Sequence, residues 1–69
     1  MIVKVEIYRD EDFWCARGLD EAVFTQAETL DELVKNIKEA VSLHLEGRIA
    51  KGEKVEILLL SSLSLEHVR

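Results

Sequence analysis

Phe24-Thr25-Gln26-Ala27-Glu28-Thr29-Leu30-Asp31-Glu32-Leu33 holds the end of a strand, a turn and the start of a helix in one short stretch. Thr29 followed three positions later by Glu32 is a capping-box pattern. The Thr29 hydroxyl can accept from the Glu32 N–H while the Glu32 carboxylate reaches back to the Thr29 N–H. Leu30, Leu33, Val34, Ile37 and Val41 then recur at helical spacing, which predicts a helix over 30–46. Gly47 is the expected stop, because glycine enters the left-handed conformation that ends helices without a Cβ penalty. The predicted buried stripe is Leu30, Leu33, Val34, Ile37, Ala40, Val41 and either His44 or Leu45. Asp31 and Lys35 form a favourable i,i+4 pair on the wet side.

Upstream, residues 2–8 alternate: Val3, Val5 and Ile7 on one face, Lys4, Glu6 and Tyr8 with Ile2 on the other. This is the pattern of a half-buried strand. Arg9-Asp10-Glu11-Asp12 is a charged turn and Phe13 to Arg17 a second strand, so the pair reads as a hairpin. Gly18 to Glu21 makes the next turn, and Ala22 to Gln26 a short third strand. Downstream, Arg48 to Lys54 is a polar connection and Val55 to Leu60 a fourth strand. The order β-β-β-α-β predicts an α+β fold, a single domain over residues 1–69. Its mixed four-stranded sheet has order 3-2-1-4, with strand four parallel to strand one and the helix on one face. Val3, Val5, Ile7, Ile57 and Leu59 are expected to face that helix.

One helix cannot cover both faces of a sheet. Tyr8, Trp14, Leu58 and Leu60 are assigned to the uncovered face, and burying each such side chain is worth about 1.5–3 kcal/mol. They are therefore the candidate interface residues, for a dimer or larger homo-oligomer or for another partner. The alternative cover is the C-terminal segment 61–69 folding back.

The chain has 69 residues, 48% of them hydrophobic, which limits it to one small domain. It has one cysteine, so no internal disulfide can staple it. No signal peptide and no apolar run of membrane-spanning length is visible, which points to the cytoplasm and away from a membrane. Proline is absent and Asn and Gln occur once each among many Glu and Lys, a composition that leans towards a thermophilic source. Asp and Glu number 14 against 9 Lys and Arg, a formal charge of −5. Phosphate neutralisation dominates nucleic-acid affinity, so this balance argues against direct nucleic-acid binding. An acidic surface suits a basic protein partner, or serves only to keep a small domain soluble.

Candidates for chemistry are weak. Cys15, with His44 or His67 as a base, could be a nucleophile, but it lies mid-strand between large apolar residues, where a buried inert thiol is the expected role. No CxxC or HxxxH spacing supports a metal at His44. Glu6 and Glu56 would lie on neighbouring strands and could hold a divalent metal for phosphodiester cleavage, but Lys4 and Lys54 are placed to pair with them. A metal-dependent nuclease is thus the third reading. No phosphate loop and no Ser-His-Asp set is present, so no catalytic, cofactor or metal residue is assigned and the protein is read as a non-enzyme.

With the β-β-β-α-β order and the Thr25-to-Leu33 junction set beside Phe13-Trp14 and Asn36-Ile37-Lys38-Glu39-Ala40, the chain resembles HicB-like proteins over residues 2–60. That family is typified by the antitoxin half of HicA–HicB toxin–antitoxin pairs. Its pattern has an aromatic in the second strand, then Thr-Gln-Gly-(Asp/Glu)-Thr-Leu-(Asp/Glu)-Glu-Ala, then Asn-(Ala/Ile)-(Lys/Arg)-Glu-Ala. Ala27 replaces the usual Gly, so the turn must be made at negative φ or with strain. Asp20-Glu21-Ala22 stands where Pro and Gly are common, and no DNA-binding domain is expected after residue 69. The resemblance implies a partial RNase-H-like fold without nuclease carboxylates, an oligomer, and occlusion of a small basic mRNA-cleaving HicA-like toxin. The alternative is a stand-alone oligomeric interaction module with no toxin.

Overall fold

A computed structural model describes residues 1–62. The elements are β1 (Ile2–Asp10), β2 (Phe13–Gly18), β3 (Phe24–Ala27), α1 (Leu30–His44), α2 (Glu46–Ala50) and β4 (Glu56–Ser61). The four strands form one sheet of order β3-β2-β1-β4, as the element order predicts. β1 is antiparallel to β2 and parallel to β4, and β2 is antiparallel to β3.

Two connections set this arrangement. Glu11 and Asp12 form a two-residue hairpin loop between the paired Asp10 and Phe13, with Glu11 at φ 41°. A positive φ in the loop matches the right-handed twist of the flanking strands. At the end of β2, Gly18 donates to the Val23 carbonyl at 2.8 Å while Val23 donates to Glu21 at 2.8 Å. A Cβ on Gly18 would stand 2.3 Å from the Glu21 carbonyl oxygen, so only glycine fits this tight return.

The strand-to-helix junction forms as the sequence indicates. Thr29 sits at φ −128°, ψ 158°, and its hydroxyl accepts from the Glu32 N–H at 3.2 Å. Only this half of the capping box is made; the return bond from Thr29 N–H to the Glu32 carboxylate is not. Ala27 ends β3 at negative φ, so the glycine common at this place in HicB-like sequences is not needed here.

The core joins Val3, Val5 and Ile7 of β1 to Leu33, Ile37 and Val41 of α1, with Ala16, Val23, Ala27 and Leu45. The helix lies over β3 and β2 rather than centrally over the sheet. Two small residues, Ala16 and Ala27, let it approach, and Asn36 Nδ2 donates to the Gln26 carbonyl at 3.3 Å. Leu30, expected in the buried stripe, is exposed, being the first residue of α1 right after the Thr29 cap. Of His44 and Leu45, it is Leu45 that is buried; His44 reaches Glu21 at 3.0 Å and ties the helix end to the β2–β3 loop.

The helix ends earlier than predicted and Gly47 is not its stop. Leu45 breaks the helical backbone at φ −112°, ψ 22°, and Gly47 falls inside α2. Gly52, at φ 90°, supplies the left-handed residue after α2. Arg48 closes the connection with two bonds to the Glu53 carboxylate, each 2.9 Å. The Asp31–Lys35 pair is not formed.

Two substitutions test these junctions. Thr29→Ala removes the one cap acceptor and should lower the unfolding free energy by about 1 kcal/mol in urea titration. Gly18→Ala drives a Cβ into a backbone carbonyl and should cost more, about 1–3 kcal/mol.

Candidate interaction surface

The candidate surface is the sheet face away from α1, and its composition follows from strand parity. The hairpin pairs Asp10 with Phe13, so even residues of β1 lie opposite odd residues of β2: Tyr8 with Cys15, Glu6 with Arg17. Arg17 in turn pairs with Phe24, and Glu6 with Leu60. One row across the open face therefore reads Phe24, Arg17, Glu6, Leu60. Opposed residues of paired strands share a face, which brings these four side chains together.

At the centre, Arg17 Nε donates to Glu6 Oε1 at 2.7 Å, and the guanidinium lies 5.9 Å from the Tyr8 ring centroid. The hydrogen bond that Arg17 donates to Glu6, and after it the Glu6 charge, raise the Arg17 pKa above its ordinary value. Beside the pair, Leu19, Leu60, Ser61 and Ser62 line a concavity of about 320 Å³. Phe24 is 59% exposed, Leu58 46% and Leu60 37%. An apolar rim thus surrounds an ion pair of zero net charge, whose mutual attraction offsets part of the desolvation cost that a covering partner would impose.

Of the four predicted interface residues, Tyr8, Leu58 and Leu60 occupy this face. Trp14 does not. It pairs with Arg9 and Ala27, lies against the core on the helix side and carries the Arg9 guanidinium 5.2 Å from its ring centroid. The reason is the two-residue turn, which sets the even residues of β2 opposite the odd residues of β1. Counting across that turn finds Arg17 on the open face, together with Phe24 one strand further on; strand-by-strand alternation does not.

Glu6 pairs with Arg17 rather than Lys4, which removes it as a free metal ligand. The parallel register sets Glu56 opposite Ile2, four residues from Glu6 along the ladder. That offset is about 13 Å at the rise of a strand, too far for two carboxylates to share one metal ion. Among the described residues no group of three or more His, Cys, Asp or Glu side chains is placed to hold a metal. Cys15 is buried, as expected for a structural thiol. No described helix is long and apolar enough to cross a membrane. His67, and the segment 61–69 beyond Ser62, lie outside the described residues.

The placement of Trp14 has an optical consequence, since it is the only tryptophan in the chain. Its emission should shift to longer wavelength on Arg9→Ala, which uncovers the ring, and stay unchanged on Leu58→Asp, which acts on the other face.

Comparisons with protein-family models, with curated proteins and with solved structures give no match to this chain.

Proposed function

We propose that this chain is a HicB-like antitoxin-type protein, a non-catalytic cytoplasmic domain that binds and occludes a small basic mRNA-cleaving toxin. The observation that carries the reading is the junction around Thr29. The residues that resemble the family, Thr25 to Leu33 and Asn36 to Ala40, sit where they have work to do: Thr29 caps α1, Leu33 and Ile37 are core, and Asn36 bonds the end of β3. The motif residues thus cap and pack α1 in this chain, which supports the resemblance.

Two features support the partner chemistry. The −5 charge steers encounter with a basic protein. The open face offers exposed aromatic and leucine side chains around an internally neutralised pair, suited to protein–protein contact rather than to phosphate binding. The 3-2-1-4 sheet with one main helix agrees with the partial RNase-H-like fold that the resemblance implies. The second reading is a stand-alone oligomeric module of the same fold with no toxin, favoured by the apolar β4.

The test is co-expression with the adjacent reading frame, where a short basic protein is expected. Co-purification at fixed stoichiometry, with loss of that protein's mRNA cleavage, is the expected outcome. Phe24→Asp on the open face should weaken the complex at least tenfold by titration calorimetry. No co-purifying basic partner, or an adjacent frame of another kind, would favour the stand-alone module. Divalent-metal-dependent RNA cleavage by this chain, lost on Glu6→Gln, would overturn both.

A further inference from the structure

Among the described residues β4 is an edge strand, with a composition that edges seldom carry. After Glu56 it reads Ile57-Leu58-Leu59-Leu60-Ser61, without a charge, proline or bulge to blunt it. It is apolar on both faces. Leu58 and Leu60 point to the open face, while Ile57 and Leu59 point to the helix side, where Ile57 packs partly buried against the core and Leu59 is left more open. There they line, with Val34, Ile37 and Lys38, a groove of about 110 Å³, and Leu59 remains 40% exposed.

The backbone polarity of the edge follows from the ladder. Glu56 N–H donates to the Met1 carbonyl at 2.9 Å, and in a parallel ladder alternate residues bond the same neighbour. Glu56, Leu58 and Leu60 therefore bond β1, and Ile57 and Leu59 turn their N–H and C=O groups outward.

We infer that this edge is the seam of a homodimer, β4 pairing antiparallel with β4 of a second copy about a two-fold axis normal to the sheet. This rests on the self-association part of the functional reading and not on a toxin. Three observations select a second copy as occupant. First, a chain of charge −5 repels its own kind least where charge is absent, and residues 57–61 form an uncharged and wholly apolar-to-neutral edge. Second, an isologous seam needs a self-complementary patch. Centred on Leu58, the register sets Ile57 opposite the partner's Leu59, so outward N–H and C=O groups meet as hydrogen-bonded pairs. Third, that register holds the two Glu56 carboxylates about 13 Å apart along the strands, beyond the Debye length of about 8 Å. A parallel pairing in register would bring them side by side. The result is an eight-stranded sheet with both helices on one face, and the Ile57–Leu59 grooves of the two copies closing on each other.

Light scattering on the full chain at micromolar concentration is the first measurement, with a mass of twice 7.9 kDa expected. Leu59→Pro should give a monomer with an unchanged circular dichroism spectrum, because the Leu59 N–H serves only the free edge, where proline is tolerated. Phe24→Asp, on the open face but far from β4, should leave the dimer intact. Leu58→Cys should form an intersubunit disulfide under mild oxidation, since residue 58 then faces its own copy in a close non-hydrogen-bonded pair. Buried Cys15 stays silent in that assay, which also decides the matter if Leu59→Pro does not fold.

A monomeric wild type overturns self-association itself. If removal of residues 63–69 converts that monomer to a dimer, the tail is the occupant. A dimer that survives Leu59→Pro but is lost on Phe24→Asp overturns only the seam and moves it to the open face. A dimer without the Leu58→Cys disulfide overturns the register.

Discussion

The short link from Ala27 through Glu28 to the Thr29 cap constrains the rest of the molecule. The helix starts as soon as β3 ends, so α1 cannot travel far from β3 before it must bury its stripe. Small side chains at Ala16 and Ala27 leave room for Leu33 and Ile37 to descend onto β2 and β3. Asn36 then fixes the helix laterally through the Gln26 carbonyl, and His44 holds its far end to Glu21. What the junction gives to one side of the sheet it withholds from the other. β4, reached only after α2 and its Gly52 turn, receives no helix above Leu59.

A domain of this size has little choice about such exposure. A helix of 15 residues is about 22 Å long and covers one flank of a four-stranded sheet. The apolar surface left over divides into two kinds. On the open face it rings the paired Arg17 and Glu6, so a partner would cover a net-neutral pair rather than a lone charge. Along β4 it borders backbone donors and acceptors that no described residue pairs, and those are satisfied most directly by another strand. The two surfaces adjoin at Leu58 and Leu60 yet do not compete for the same groups. Face contacts use side chains; edge pairing uses the main chain of Ile57 and Leu59.

Several features were legible from the sequence. Alternation in residues 2–8, the Thr29–Glu32 spacing and the leucine and isoleucine stripe determined the element order, the cap and the core. Topology followed because a helix between strands three and four makes the parallel β1–β4 pairing the simplest closure. The helix end was not legible, because Leu45 and Gly47 each suit more than one backbone state and the choice is made by packing Leu45 into the core. The Lys4–Glu6 pair failed for a related reason. Residues two apart on a strand share a face, but Arg17, directly across the ladder, lies nearer than Lys4.

What sequence determined by itself is therefore local: which residues form each element, and which side of each element is apolar. Only the tertiary structure decided how those sides combine. The two-residue loop at Glu11 and Asp12 sets the parity between β1 and β2, and that parity sends Trp14 to the core side beneath Arg9 while it brings Arg17 to Glu6. Side-chain facing repeats every two residues, so one residue of register exchanges every side chain between core and surface. The helix offset that leaves β4 bare has the same origin. It is set by the length of one connection and by the size of two alanines, and a hydrophobic pattern records neither.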